Sequence, residues 1–122
     1  MTDQRKDIFS ELNHKISGDV YWDPIRVYML STDASIYRRE PAAVVYPKST
    51  QDVISTVQFA AARGVPIHSR GAGSGLCGSA IGTGIVIDFT RYMNRLIKID
   101  GDENFFECEP GYRFGELEAV LV

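Results

Sequence analysis

The stretch from Arg70 to Ser79 has the residue types of an anion-binding loop. It reads Arg-Gly-Ala-Gly-Ser-Gly-Leu-Cys-Gly-Ser, and residues 71–84 contain six glycines. Glycine lets the backbone approach a ligand closely and adopt positive φ angles, and consecutive N–H groups in such a turn form an anion-binding nest. Ser74 and Ser79 add hydroxyl donors, and Arg70 adds a positive charge at the start of the loop. Together these groups suit a pyrophosphate.

The alternative interpretation is a flexible surface loop without a ligand. Flexible linkers are rich in glycine and serine and contain few apolar residues. This loop includes Leu76 and Cys77 and is followed by Ala80 and Ile81. The apolar residues predict a packed segment, which favours the binding interpretation.

Two phosphate-binding motifs fail at this loop. Gly73, Gly75 and Gly78 match the letters of G-x-G-x-x-G, but a dinucleotide-binding turn leads directly into a helix. Here a strand is predicted from about Ile85 instead. The pattern G-x-x-x-x-G-K-[ST] fails because the loop contains no lysine.

Nucleophilic catalysis is also disfavoured. The pattern G-x-S-x-G fails because Ala72 stands two positions before Ser74. Cys77 lies among glycines, but nothing in the sequence marks a base that would activate its thiol. Paired carboxylates and groups with metal-ligand spacing are missing from the sequence as well, so we expect no catalytic residue and no metal site in this chain.

Strands and helices that would position the loop are predicted on both sides of it. Residues 43–46 are apolar and are followed by Pro47, which is typical of a buried strand. A helix is predicted over residues 49–64, with Ser49 or Thr50 as its N-cap and Asp52 in a capping-box position. Its expected buried face consists of Val53, Val57, Ala60 and Ala61.

The second half of the chain predicts more strands. Residues 65–69 and 85–89 read as short strands on either side of the loop. Alternating residues predict a hairpin whose turn is residues 101–104, and Glu107 and Glu109 are expected on its solvated face. A last helix is predicted from Phe114 to the end of the chain, and the apolar spacing of Phe114, Leu117 and Leu121 supports it.

The first forty residues are less regular. Ile8, Leu12 and Ile16 form one apolar stripe, which predicts a helix over residues 7–16. Residues 19–41 contain aromatic side chains without a clear period and predict irregular structure with short helical turns. Asp33 is interpreted as a turn cap. The whole pattern is typical of a mixed α/β or α+β fold, a small sheet with flanking helices.

Composition excludes several classes of function. The chain has 122 residues, 44% of them apolar, and a net charge of −3. This charge provides no basic surface for nucleic acid, and no apolar stretch approaches the roughly 18 residues of a membrane span. The polar N-terminus lacks a secretory signal, and Cys77 and Cys108 are interpreted as free thiols. We therefore expect a cytoplasmic protein, with membrane association open to a longer parent protein.

Several blocks together resemble a known family. They are residues 41–47, the helix over 49–64, residues 65–78, residues 85–94 and Glu109-Pro110-Gly111, with residues 32–37 upstream. The combination resembles the FAD-binding domain of the vanillyl-alcohol-oxidase (PCMH) type, most closely its glycolate oxidase and D-lactate dehydrogenase branch. The pattern of residues 1–40 predicts an N-terminal helix and a wrapping segment, and the resemblance implies that residues 41–122 are the first part of the FAD-binding domain.

The resemblance also implies the cofactor-binding residues. The backbone amides that bind the FAD pyrophosphate would be those of Gly71, Ala72, Gly73, Ser74 and Gly75, with Arg70 and Ser79 flanking them. Further residues that would shape or approach the cofactor site are Pro47, Pro66, Pro110 and Gly111. Some members attach the flavin covalently through a histidine in this loop. Because Ser74 and Gly75 occupy the matching positions here, we expect non-covalent FAD.

The function implied for the parent protein is oxidation of a small 2-hydroxy acid, by hydride transfer to FAD. The substrate site would lie beyond Val122, where the last helix stops without a cap, so the chain alone is expected to be inactive. Unpaired sheet edges and apolar faces would favour self-association. Two alternatives stay open: a non-catalytic nucleotide-binding module, and an interaction domain that binds a partner through its aromatic N-terminal segment.

Overall fold

A computed structural model describes the backbone of residues 3–122 and the side chains from Ile8 onward. It confirms the mixed α and β composition. The elements are α1 (Asp3–Lys15), β1 (Asp19–Tyr21), α2 (Pro24–Met29), β2 (Ala43–Tyr46), α3 (Thr50–Ala62), β3 (Ile67–Arg70), β4 (Ile85–Asp88), β5 (Leu96–Asp100), β6 (Phe105–Cys108) and α4 (Phe114–Leu121).

Four strands form the main sheet, in the order β1-β2-β4-β3. Strands β2, β4 and β3 are parallel to one another, and β1 is antiparallel to β2. Every residue of β2 and β4 is buried, as expected for central strands that are covered on both faces. Because the three parallel strands run the same way, Tyr46, Arg70 and Asp88 end them at one edge, which we call the carboxyl edge.

The core lies on both faces of this sheet because successive side chains of a strand point to opposite sides. Side chains of α1 and α3 pack with Val45, Ile85 and Ile87 in the larger cluster. Val44, Tyr46 and Val86 form a smaller cluster on the opposite side with Leu30, which follows α2. The two sequence runs predicted as buried strands are therefore the centre of the fold.

The helices are where predicted, but their buried faces are rotated. Phe9 and Leu12 of α1 are buried, as is Ile16 just beyond its end, while Ile8 is 38% exposed. The predicted stripe contained Ile8 instead of Phe9. The observed residues are spaced by three and then four positions, and the predicted ones by four and four. Both spacings fit one face of a helix, so the sequence pattern could not distinguish Phe9 from Ile8 as the buried residue.

Helix α3 has the predicted N-cap, because Ser49 Oγ accepts a hydrogen bond from the Asp52 N–H at 3.2 Å. Its predicted buried face was correct at Ala60, which is buried, but wrong at Val57 and Ala61, which are exposed. The other buried positions of this helix are Asp52, Thr56 and Phe59. Polar residues can occupy this face because their polar groups are satisfied; Thr56 Oγ1 donates to the Asp52 carbonyl at 2.8 Å.

Residues 19–41 contain more regular structure than expected. Strand β1 pairs with β2 through Val20 and Val45, and α2 begins after Asp23, whose side chain accepts from the Arg26 N–H. A strand of three residues is too short to show alternation in the sequence. The short helical turn was expected, but the strand was missed.

The predicted hairpin is confirmed, with Ile99 opposite Phe106 and an irregularity between Leu96 and Lys98. The expectation of a solvated Glu109 was wrong, because this residue is only 9% exposed. Its carboxylate accepts bonds from the backbone and the guanidinium of Arg95, and these bonds lower its pKa despite burial. Glu107 is exposed, as expected.

Two further features follow from the described residues. Cys77 and Cys108 are both free thiols. Within residues 3–122, none of the helices has the length and apolar character that crossing a membrane requires.

Candidate functional site

The candidate site is a cavity of about 640 Å³ at the carboxyl edge of the sheet. The last residue of each parallel strand lines it: Tyr46, Arg70 and Asp88. Gly71 and Ala72 complete the wall on the side of β3. In open sheets with parallel strands, ligands bind beyond the carboxyl ends of the strands, because the loops that leave them converge there.

The loop of residues 71–79, called the glycine loop below, follows β3 directly at this edge. Within the described chain, no backbone N–H of these residues donates a hydrogen bond to another protein group. Most residues of the loop are exposed, so these N–H groups are open to water or to a ligand. The loop therefore presents a set of free N–H donors, which is what an anionic ligand requires.

Two glycines of this loop are required by its shape. Gly73 and Gly78 have φ angles of 67° and 76°, a region that residues with a side chain rarely adopt. A Cβ placed on Gly73 would also lie only 2.6 Å from Nη2 of Arg70. The backbone of the loop is thus seated directly against the guanidinium.

Positive charge dominates the cavity. Arg70, Arg91 and Arg113 line it, and Asp88 is the acid among the lining residues. Asp88 Oδ1 accepts hydrogen bonds from the N–H and hydroxyl of Thr90, at 2.8 and 2.6 Å, so the local backbone already uses this oxygen. The balance of charge favours an anion.

The three arginines are held differently. Arg70 Nη1 donates to the carbonyl of Thr32 at 2.8 Å. The Arg91 guanidinium lies 3.8 Å from the centre of the Tyr46 ring and pairs with Asp19 at 3.2 Å. The side chain of Arg113 is 70% exposed and reaches Glu116 only at 4.0 Å, which leaves it the most available of the three for a ligand.

A buried carboxylate holds the turn that follows β2 at this edge. Asp52 accepts hydrogen bonds from the N–H groups of Ser17, Gly18 and Lys48, each at 2.9 Å, and from the Ser17 hydroxyl. Burial raises the pKa of Asp52, but these bonds outweigh it and the pKa is lowered from its ordinary value. The sequence predicted only a helix-capping role for this residue.

The structure brings most of the predicted cofactor-binding residues together. Arg70, Gly71 and Ala72 line the cavity, and Gly73, Ser74 and Gly75 continue the same loop. The Ser79 hydroxyl folds back towards Gly75, 3.2 Å from where a Cβ would stand.

The predicted pair Pro110 and Gly111 lies beside the start of the loop. The Pro110 carbonyl oxygen is 4.0 Å from the Cβ position of Gly71, and Gly111 is packed against the carbonyl oxygens of Phe89 and Met93. The Gly111 N–H also donates to Met93 O at 2.8 Å. This turn therefore packs against the segment that follows β4, although neither residue is among those that line the cavity.

Two predicted prolines are placed differently. Pro47 follows β2 at the carboxyl edge but is fully buried. Pro66 precedes β3 and lines a second cavity, of about 790 Å³, at the opposite end of the strands. Neither proline is among the residues that line the cavity beside the glycine loop.

The histidines are also away from the loop's free N–H groups. The ring of His68 fills the space beside Gly82, where a Cβ would lie 1.9 Å from Nε2. His14 is exposed on α1, and its Nδ1 lies 2.6 Å from the carbonyl of Ser10. In the described part of the chain, side chains do not form a cluster suited to a metal ion.

Sequence reasoning missed Arg91 and Arg113. Arg91 stands three residues beyond the end of β4, and Arg113 immediately precedes α4. A basic residue shortly after a buried parallel strand is a usable signal, because such positions reach the carboxyl edge. Arg113 carries no comparable signal, since only the folding of the hairpin returns it to this edge.

Comparison with known proteins gives consistent results. A sequence family described as "FAD binding domain" matches residues 41–122. The chain is 41% identical over 95 residues to D-2-hydroxyglutarate dehydrogenase of Escherichia coli (strain K12), in an alignment that covers 75% of this chain and 9% of that protein. It is 32% identical over 111 residues to glycolate oxidase subunit GlcD of Bacillus subtilis (strain 168), covering 87% of this chain and 23% of that one.

Solved structures show the same fold. Alkyldihydroxyacetonephosphate synthase superimposes with a TM-score of 0.77 at 24% identity, over 95% of this chain and 24% of that one. At this identity the likeness concerns the fold alone. This chain spans only about a tenth of the length of the dehydrogenase relative.

Proposed function

Because this chain belongs to the family of FAD binding domains, we propose that its glycine loop binds the pyrophosphate of FAD at the carboxyl edge of the sheet. The backbone amides that would hold the pyrophosphate are those of Gly71, Ala72, Gly73, Ser74 and Gly75, with Arg70 and Ser79 flanking them. The observation that carries the proposal is that the N–H groups of the loop are free beside a cavity lined by three arginines.

The shape of the loop fits this cofactor. A pyrophosphate needs several donors converging from a backbone without side chains in the way. A Cβ at Gly73 would collide with Arg70. Glycine at this position therefore permits both the positive φ and the close approach of the backbone to the Arg70 side chain. Pro47, Pro66, Pro110 and Gly111 are proposed to shape the surroundings of the site rather than to contact the phosphates.

We propose that FAD is held without a covalent bond. Ser74 and Gly75 stand where some relatives of this fold type carry the attaching histidine. His68 is packed against Gly82 on the strand before the loop. Release of all flavin into the supernatant after acid precipitation is the expected result, and flavin retained in the pellet would contradict it.

The longer protein is proposed to be an FAD-dependent dehydrogenase of a small 2-hydroxy acid. Relatives of this chain are named D-2-hydroxyglutarate dehydrogenase, glycolate oxidase subunit and D-lactate dehydrogenase. When bound, FAD supplies the redox chemistry by accepting a hydride from the substrate. The residues of this chain bind and orient the cofactor, and the substrate pocket is proposed to lie outside them.

Three accompanying proposals concern the whole protein. Residues 1–40 are proposed as a segment that wraps the FAD-binding part over 41–122, and the protein is proposed to be cytoplasmic. Self-association of the isolated chain is proposed because large apolar side chains are exposed along the hairpin and α4. These include Ile97, Phe105, Phe106, Phe114 and Leu121.

The test is the visible spectrum of the purified protein that contains this chain, recorded before and after anaerobic addition of D-2-hydroxyglutarate, D-lactate or glycolate. Flavin bands that bleach with one of these acids are expected. Bands that bleach with none would favour a non-catalytic nucleotide-binding module. A colourless protein that FAD cannot reconstitute would reject the proposal and favour an interaction domain.

A further inference from the structure

Residues 31–39, called the brace below, form a closed loop that precedes the matched family region. The Arg39 N–H donates to the Ser31 carbonyl at 2.9 Å, and Thr32 pairs with Arg38, so the two ends of the brace are joined. Ser31 is fully buried, and its hydroxyl donates to the carbonyl of Tyr28 at 2.7 Å. The brace is therefore anchored to the C-terminal end of α2.

The brace contacts the glycine loop at both of the glycines that have positive φ angles. The Ala34 N–H donates to the carbonyl of Gly73 at 2.9 Å. A Cβ placed on Gly78 would lie 3.0 Å from Cδ2 of Tyr37 and 3.6 Å from the Ser35 hydroxyl. Since Gly73 and Gly78 carry the positive φ angles of the loop, the brace touches the two points that set its shape.

Asp33 occupies the centre of this contact. Its Oδ1 accepts from the Ser35 N–H at 2.9 Å, and its Oδ2 is buried without a hydrogen bond of good geometry among the described residues. Hydrogen bonds from Ser35 lower the pKa of this carboxyl, and the backbone N–H of Ala80, just beyond the glycine loop, and the charge of Arg70 lower it further. The carboxylate therefore interacts with the segment that follows the glycine loop as well as with its own turn.

Arg70 contacts both the brace and the glycine loop. One of its terminal nitrogens donates to the Thr32 carbonyl, and the other faces Gly73. The guanidinium thus lies between the brace and the loop, with its charge acting on Asp33. A side chain in this position can fix the glycine loop relative to the brace.

We propose that the brace is a positioning element for the pyrophosphate-binding loop, in which the charges of Asp33 and Arg70 and the Ala34–Gly73 hydrogen bond hold the loop in its binding shape. The inference rests on the proposed FAD function. It adds that residues preceding the matched range 41–122 hold the glycine loop in its binding shape. It also adds that Arg70 contributes mainly by fixing the shape of this loop.

The test is the backbone mobility of the glycine loop in the 122-residue chain without flavin, measured by ¹⁵N NMR relaxation. Asp33→Ala removes the charge and the cap, and Asp33→Asn removes the charge but keeps the acceptor for Ser35. Glu40→Ala is the matched control, since it removes an exposed carboxylate just beyond the brace. Thermal unfolding of each variant reports whether the fold is retained.

In the unaltered chain the amides of residues 71–79 are expected to have order parameters near the rigid value of about 0.85, and in both Asp33 variants these should fall below about 0.6. The β5–β6 hairpin should be unchanged, and Glu40→Ala should resemble the unaltered chain. A rigid loop in Asp33→Asn would overturn the charge role, and a rigid loop in Asp33→Ala would overturn the brace itself.

If Asp33→Ala does not fold, Asp33→Asn alone tests the proposal, because the amide oxygen of asparagine can still accept the hydrogen bond from Ser35. A loop that is already mobile in the unaltered chain would also overturn the proposal. None of these measurements needs bound FAD. Failure of the brace proposal is therefore distinguishable from failure of the cofactor proposal, which the visible spectrum decides.

Discussion

The two ends of the parallel sheet are built differently. The cavity at the carboxyl edge, of about 640 Å³, is lined by three arginines and the start of the glycine loop. The cavity at the opposite end is larger, about 790 Å³, and its wall includes Phe9, Pro41, Val65 and Pro66. Among the described residues that line it, the one arginine is Arg63, which pairs with Glu11.

The proposed binding end is therefore chosen by its chemistry and not by the volume of its cavity. The carboxyl edge collects free backbone N–H groups and three arginines, of which Arg113 is largely exposed, because the chain leaves all three parallel strands there. The other end collects the segments that enter the strands, and those segments bring prolines and apolar side chains. An anionic cofactor is stabilised by the first environment and gains little from the second.

The largest expected effect concerns Gly73. Gly73→Val should weaken FAD binding at least about a hundredfold, roughly 2.7 kcal/mol, because a side chain there collides with Arg70 and cannot adopt the φ of 67°. Flavin fluorescence titration of the protein that contains this chain measures the effect.

The control for Gly73→Val is Gly101→Val, since nothing lies within 4 Å of a Cβ at Gly101. This variant in the hairpin turn should bind FAD as the unaltered protein does. If the two variants bound FAD with equal affinity, the assignment of the carboxyl edge as the FAD-binding end would be wrong.

A second prediction concerns the support of the same edge. Asp52→Asn should destabilise the fold by about 2 kcal/mol, since the amide nitrogen cannot accept and leaves a buried N–H unpaired. Urea unfolding measures the loss. Glu107→Gln, an exposed change of the same kind on β6, should stay within about 0.5 kcal/mol.

The pH dependence of the Asp52 effect has a defined sign. Because the folded pKa is lowered below the ordinary value of 3.8, the stabilising contribution is complete above that value and is lost as the pH falls through the lower folded pKa. The stability difference between the unaltered chain and Asp52→Asn should therefore narrow only in acid. A difference that stays constant down to the acid transition would argue against the carboxylate as its source.

The smallest effect compares one arginine from each end. Arg113→Ala should weaken FAD binding about tenfold, roughly 1.4 kcal/mol, with less loss at high salt because the side chain is exposed. Arg63→Ala, at the opposite end, should leave the affinity within about twofold. Similar losses from both would mean that a general positive charge, rather than the carboxyl edge, attracts the cofactor.

The sequence by itself determined the features that depend on near neighbours. The two apolar runs became β2 and β4 because a run of three or four consecutive apolar residues can be buried on both faces of a sheet. Ser49 became the N-cap of α3 because its hydroxyl needs only the N–H three residues later. The glycine loop was recognisable because glycine content alone allows positive φ angles and close approach.

The tertiary structure decided what depends on distant partners. Asp52 is held by Ser17 and Gly18, about 35 residues away, and Glu109 is buried because the hairpin places it against Arg95, 14 residues earlier in the chain. Arg113 reaches the carboxyl edge only after the hairpin has folded, and the brace meets the loop across some forty residues. No local pattern records such pairings, because the free energy that fixes them arises only when the separate segments are packed together.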